Sequence, residues 1–305
     1  MCFSIKGHIL QGENTRPVII FVHGLGLSSR IWTDMLNYRV LAGYLPIISL
    51  IQVRNPLSSR LDHYNNLLQL KKLVTLWDGL RGKGFNLICW SESKPYNSIV
   101  EVVKELKEVV TTARISFPDL PIALIGHSRG GLIARKYMEQ NTEDLRALIT
   151  ISTPHRGSSI AKFGIRLSNF FQNLLDRKIN NPALQGLISL IRSQALHELY
   201  PGSNFLKCLN DIPYKHIKYI SFGGNNPFGF IKVFQKHPNL IRYLNILAHS
   251  VCPDELVCGK GDGFVTVESA HLPWADHHYT LPDNHASILC NHTVIEIIAN
   301  SLKGL

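Results

Sequence analysis

No apolar stretch in this chain is long enough to cross a bilayer. The longest apolar runs, residues 17–22 and 45–51, fall far short of the roughly 20 residues that a spanning helix needs. Residues 1–14 hold no apolar core of signal-peptide length. The chain as written therefore reads as soluble and cytoplasmic, a reading that a removed leader would leave unchanged. Paired cysteine motifs are missing too. Cys2, Cys89, Cys208, Cys252, Cys258 and Cys290 are dispersed with no C-x-x-C, which points to reduced thiols. Only Cys252 and Cys258 are near enough in sequence to close a small loop. No Cys/His spacing fits a zinc site, although there are 14 histidines. Finally, there is no basic tract. The net charge is +10, but the basic residues are scattered. The densest groups, Lys71-Lys72 and Arg81 with Lys83, have no interleaved aromatics. This argues against a nucleic-acid partner and leaves open contact with a lipid surface.

What is present is an ordinary globular composition, 45% hydrophobic and 18% charged over 305 residues. That length suits one large α/β domain with an insertion. Internal repeats and low-complexity linkers are lacking. Residues 17–22, 86–90, 121–125, 147–152, 216–222 and 277–281 read as strands, several of them buried on both faces. Residues 98–113 carry apolar side chains at helical spacing, and Ser98 with Glu101 suggests a capping box. A helix is expected from the Gly130-Gly131 pair to about Gln140, and another over 285–302. Strands alternating with helices predict a mostly parallel sheet covered on both faces. From 157 to 211 the strand signal vanishes, and helical runs at 165–175 and 184–197 predict a helical insertion over the sheet. Residues 34–74 are the least legible part.

The strongest chemical signal is Gly126-His127-Ser128-Arg129-Gly130, a G-x-S-x-G segment between a buried strand and a helix. Such a turn strains the serine backbone, and small neighbours relieve the crowding. A free hydroxyl is a poor nucleophile, so Ser128 needs a base, usually a histidine oriented by a carboxylate. The chain order for this turn is serine, acid, histidine. That order excludes His8, His23 and His127 as base. It favours His285, just after the last expected strand, with His271 as the main rival. His277 and His278 sit at the far end of that strand, and His292 falls inside the terminal helix. For the acid, Asp262 is best placed, between Gly261 and Gly263. Asp254 and Asp276 are alternatives, and Asp283 suits a turn. Two backbone N–H groups should receive the oxyanion. One belongs to Arg129. The other comes from the loop after residue 22, whose glycines admit a substrate.

Five segments carry a family resemblance. They are Val22-His23-Gly24-Leu25-Gly26, Gly126-His127-Ser128-Arg129-Gly130-Gly131, Thr153-Pro154-His155-Arg156-Gly157-Ser158, Gly261-Asp262-Gly263 and Asn284-His285. Their order and spacing resemble the bacterial lipase/esterase group of α/β hydrolases and, more distantly, the GPI inositol-deacylase and lecithin acyltransferase relatives. The resemblance implies an α/β-hydrolase fold, a single domain over 1–305 and a helical cap over 157–211. It implies a Ser128, Asp262, His285 triad acting on an acyl ester or lipid, with the second oxyanion N–H on Leu25. No cofactor is implied. Many relatives bind calcium through an aspartate two residues after the catalytic histidine. That position is Ser287 here, so no metal is expected. Acyl transfer would use the same residues. A non-catalytic ligand-binding homologue is the reading from another class, and the complete Ser/Asp/His set argues against it.

Overall fold

The computed structural model describes residues 7–40, 45–51, 73–94, 96–162, 185, 188–190, 192–210, 212–228 and 253–305. Seven strands form one sheet: β1 (Gly7–Leu10), β2 (Val18–Val22), β3 (Asn86–Trp90), β4 (Ile122–His127), β5 (Leu145–Ile151), β6 (Lys218–Gly224) and β7 (His277–Leu281). Their spatial order is β1-β3-β2-β4-β5-β6-β7. All neighbours run parallel except β1, which pairs antiparallel with β3. The six expected strands are present within three residues of their predicted ends. Edge strand β1 was not expected. It is exposed on most of its length and has no buried apolar run to announce it.

Every residue of β2, β3 and β4 is buried, as in a parallel sheet covered on both sides. Alternate residues serve opposite faces. Ile19 and Phe21 join one core with Leu76, Trp77 and Leu80 of α1 (Leu76–Arg81) and with Val294, Ile295 and Ile298 of the C-terminal helix, His292–Leu302. Val18, Ile20 and Val22 join the other core with Val102 and Leu106 of α2 (Ile99–Ser116) and Leu132 and Ile133 of α3 (Arg129–Met138). In α2 the Ser98 hydroxyl accepts from the Glu101 N–H at 3.4 Å, but the Glu101 carboxylate takes the Lys104 ammonium. Only half of the expected capping box therefore forms.

The predicted helix over 285–302 is shorter. A single 3₁₀ turn spans Ser287–Cys290. The helix starts at His292, where the Asn291 side chain caps the Thr293 N–H. The reason is local. The Asn284 side-chain oxygen accepts from the Ala286 and Ser287 N–H groups, which commits those residues to a turn. In the expected insertion, 165–175 lies outside the described residues. Within 184–197 a new helix, α4 (Gln194–Glu198), is capped by the Ser193 hydroxyl. The Cys252–Cys258 loop cannot be followed, since Cys252 lies outside the described residues; Cys258 is an exposed free thiol.

The connections from β2 and β4 leave in opposite directions, β2 to β3 and β4 to β5. Neighbouring parallel strands with diverging connections leave a crevice at their carboxyl ends, where ligands bind in open α/β sheets. The His23–Gly26 loop and Ser128 both lie at that crevice.

Candidate active site

β4 ends at His127 and α3 begins at Arg129, so Ser128 alone makes the turn. Its φ is 55° and ψ −130°, a region that non-glycine residues avoid. Its N–H donates to the Ile151 carbonyl at 2.9 Å, which pins the turn to β5. The glycines around it are required by space. A β-carbon on Gly130 would strike the Val22 carbonyl oxygen, one on Gly131 the Thr153 hydroxyl, and one on Gly126 the Gly131 backbone. A β-carbon on Gly24 would stand 2.9 Å from that of Ser128, so the loop after β2 passes directly against the serine.

His285 and Asp262 meet from the loops on either side of β7. The His285 Nδ1 lies 2.8 Å from Asp262 Oδ2, and the His285 N–H donates to the Asp262 carbonyl at 3.0 Å. The other carboxylate oxygen, Oδ1, accepts from the Phe264 N–H at 2.9 Å and the Val265 N–H at 2.8 Å. Burial alone would raise the Asp262 carboxyl, but His285 and the Phe264 N–H hold it below its ordinary value. It is therefore the anion that faces His285. Phe264 packs edge-on against the imidazole at 5.2 Å. Asn284 braces the loop by donating to the Leu50 carbonyl at 2.6 Å, and Asp283 accepts from Ser287 and Asn291. Ser287 is thus bound into the turn itself.

His127, the variable residue before Ser128, reaches the same loop. Its Nε2–H donates to the His285 carbonyl at 2.9 Å, and the two rings are 4.7 Å apart. This links the serine turn to the imidazole loop. Burial pushes His127 down to about 3, so it stays neutral. The rival histidines lie elsewhere. The His271 and His278 rings are 4.6 Å apart, and His278 Nδ1 bonds the Ser221 hydroxyl at 2.7 Å. His292 is exposed at the start of the last helix. Asp254 pairs with Lys260 on the surface, and Asp276 accepts from the Tyr219 N–H. His155 of the Thr153–Ser158 motif is a buried packing residue, bonded by Arg135 and Thr150.

Of the expected oxyanion donors, the Arg129 N–H opens α3 and has no partner within the helix. The Leu25 N–H belongs to the loop laid against Ser128. Sequence reasoning missed Glu92 entirely. It follows β3 in no motif, yet its carboxylate accepts from the buried Arg129 guanidinium at 3.1 and 3.2 Å. Asn284 was visible only as half of Asn-His, with no signal of its bracing role. Among the described residues, no three His, Cys, Asp or Glu side chains are arranged to hold a metal ion. No described helix is long and apolar enough to cross a membrane.

This architecture has a solved counterpart in the mature form of the lipase BlEst2 from Bacillus licheniformis. The two share a TM-score of 0.57 and 20% identity, covering 97% of this chain and 95% of that one. The chain has the α/β-hydrolase fold. BpoC from Mycobacterium tuberculosis, described as a putative non-heme bromoperoxidase, is also similar, with a TM-score of 0.52 and 12% identity over 100% of this chain and 97% of that one. Two such differently named α/β-hydrolase neighbours show that the fold alone does not fix the reaction. Residues 64–202 match the family model described as serine aminopeptidase, S33. Triacylglycerol lipase 2 of Saccharomyces cerevisiae is 30% identical over 40% of this chain. The matched part is 39% of the yeast enzyme's length, so the chain spans well under half of that curated relative.

Proposed function

We propose that the chain is a serine carboxylic-ester hydrolase acting through an acyl-enzyme. The observation that carries this is the strained Ser128 turn, joined through His127 to a loop in which His285 is 2.8 Å from a buried, anionic Asp262. In this reading the Ser128 hydroxyl attacks the acyl carbonyl carbon. His285 takes the hydroxyl proton at Nε2 and returns it to the departing alcohol, and Asp262 stabilises the imidazolium. The tetrahedral oxyanion accepts from the Leu25 and Arg129 N–H groups. Water then cleaves the acyl-enzyme by the same steps in reverse order. Residues 1–305 form one domain in this reading, and residues 157–211 cover the site.

The lipase and esterase names among the similar proteins favour an acyl-ester or lipid substrate. The serine aminopeptidase description favours a second reading, amide hydrolysis. That match ends at residue 202, before both Asp262 and His285. One experiment separates the two. p-Nitrophenyl esters of rising acyl length, emulsified triglyceride and aminoacyl p-nitroanilides are compared as substrates. A fluorophosphonate probe is applied to the wild type and to Ser128→Ala. Ester turnover with labelling lost in Ser128→Ala supports the proposal. Turnover of anilides alone, or labelling at another serine, overturns it.

A further inference from the structure

The residue behind the two oxyanion donors is Glu92, and it touches the support of each. Its own N–H donates to His23 Nε2 at 3.3 Å. That fixes the neutral ring with its proton on Nδ1, which lies 3.0 Å from the Gly24 carbonyl oxygen and donates to it. Burial pushes His23 down to about 4, in keeping with a neutral ring. The Gly24 carbonyl and the Leu25 N–H belong to one planar trans peptide and point in opposite directions. Holding the carbonyl toward His23 therefore aims the Leu25 N–H away from it. The neighbouring Ser91 hydroxyl accepts from the Ser29 N–H at 3.0 Å, a second tie from the same segment to the same loop.

The Glu92 side chain reaches the other donor. Its carboxylate receives Arg129 Nη1, while Arg129 Nη2 donates to the Asn97 carbonyl. The Arg129 side chain is 0% exposed and that of Glu92 2% exposed. Glu198 of α4 lies 4.0 Å from the same guanidinium and is itself engaged by the Ile99 N–H at the start of α2. The first residue of α3 is thereby anchored through its side chain as well as through the helix. A buried guanidinium stays in place only while its partners do.

We propose that Glu92 is a positioning residue whose carboxylate, by holding Arg129, keeps the Arg129 N–H in register with that of Leu25 for the oxyanion. This rests on the proposed ester hydrolysis at Ser128. The test compares wild type, Glu92→Gln, Glu92→Asp and the double variant Glu92→Gln/Arg129→Met, with Glu268→Gln as a control at an exposed carboxylate. Three quantities are read: kcat and KM on p-nitrophenyl butyrate, inhibition by the matching trifluoromethyl ketone, and Tm.

Glu92→Gln should lose about 10- to 100-fold in kcat, and similarly in affinity for the ketone, with KM little changed. Glu92→Asp should recover part of the loss. The double variant leaves neither charge of the pair buried. It should regain Tm without regaining kcat, because a structural role alone would restore both. Unchanged kcat in a folded Glu92→Gln protein overturns the proposal. So does recovery of kcat together with Tm in the double variant. If the wild type hydrolyses no ester and takes no fluorophosphonate label, the Ser128 reading has failed instead.

Discussion

Replacing Asp262 with asparagine changes one atom and should nearly abolish turnover. The structure says why. Asp262 Oδ1 accepts two backbone N–H groups, from Phe264 and Val265, at 2.9 and 2.8 Å. In the asparagine variant the amide oxygen must take that side, since an NH₂ group facing two N–H donors would leave all of them unpaired in a buried site. The amide NH₂ is then left facing His285 Nδ1, where Oδ2 stood at 2.8 Å. Nδ1 can only accept from it, so the imidazole proton moves to Nε2. A ring protonated at Nε2 cannot take the Ser128 proton. Triads altered in this way lose roughly 10⁴-fold in kcat, about 5.5 kcal/mol of barrier. Stability should change much less, by about 1–3 kcal/mol, because all three side-chain hydrogen bonds survive, the one to His285 with its direction reversed. The assay is steady-state turnover of p-nitrophenyl butyrate alongside urea unfolding. The ¹⁵N shifts of His285 should report the tautomer directly. An asparagine variant that keeps more than a tenth of the wild-type kcat would refute the tautomer argument, as would an Nδ1-protonated His285 in that variant.

Gly131→Ala should be severely destabilised, by several kcal/mol in urea unfolding, because its β-carbon would stand 2.1 Å from the Thr153 hydroxyl, on a side chain that is itself fully buried. Acid should destabilise the fold through His23 and His127, whose folded values of about 4 and about 3 lie below the ordinary 6.5. The unfolded chain takes up their protons first, so stability present above pH 6.5 is lost on descent. By pH 4.5 the loss is about 2–3 kcal/mol for each, and His127→Gln should flatten the profile of urea midpoint against pH. Burial raises Glu92 to about 7, which has the opposite sign: its contribution is full below the ordinary 4.5 and is lost as pH rises through 7, so Glu92→Gln should steepen the acid loss. Asn284→Ala removes the brace to Leu50 and two turn bonds, and should lower kcat several-fold with a small fall in Tm. Activity should withstand EDTA, since Ser287 is committed to the turn around His285; a loss restored by calcium would contradict this.

The parts legible in the sequence are those in which backbone geometry restricts residue type. The Ser128 turn admits only glycine at 126, 130 and 131 because a β-carbon there would stand 2.1 to 2.4 Å from another atom, backbone at 126 and 130 and the Thr153 hydroxyl at 131. The atoms met come partly from Val22 and Thr153, but the requirement is written as glycine at fixed offsets from the serine, so a short pattern carries it. The buried strands were legible for a similar reason. Strands β2 and β4 are covered on both faces, and an unbroken apolar run is the direct imprint of that. Edge strand β1 bears no such imprint, since all its residues but Leu10 are exposed and its pairing is made by backbone atoms common to every sequence.

Glu92 was illegible for a different reason. A glutamate after a buried strand reads as an ordinary surface residue, and nothing within ten positions tells of the guanidinium it meets. Its partners, His23 and Arg129, and the Glu198 carboxylate that shares the guanidinium, come from three other segments spread over 175 residues and converge only through the β3-β2-β4 order of the sheet. The same crossing explains why Arg129 could be named for its N–H but not for its side chain. The N–H follows from its place after Ser128, which is a matter of sequence. The burial of its charge follows from topology, since α3 packs beside α2 and brings Arg129 under Asn97 and Glu92. The backbone groups proposed to hold the oxyanion were therefore readable one segment at a time, whereas the side chains proposed to aim them had to wait for the fold.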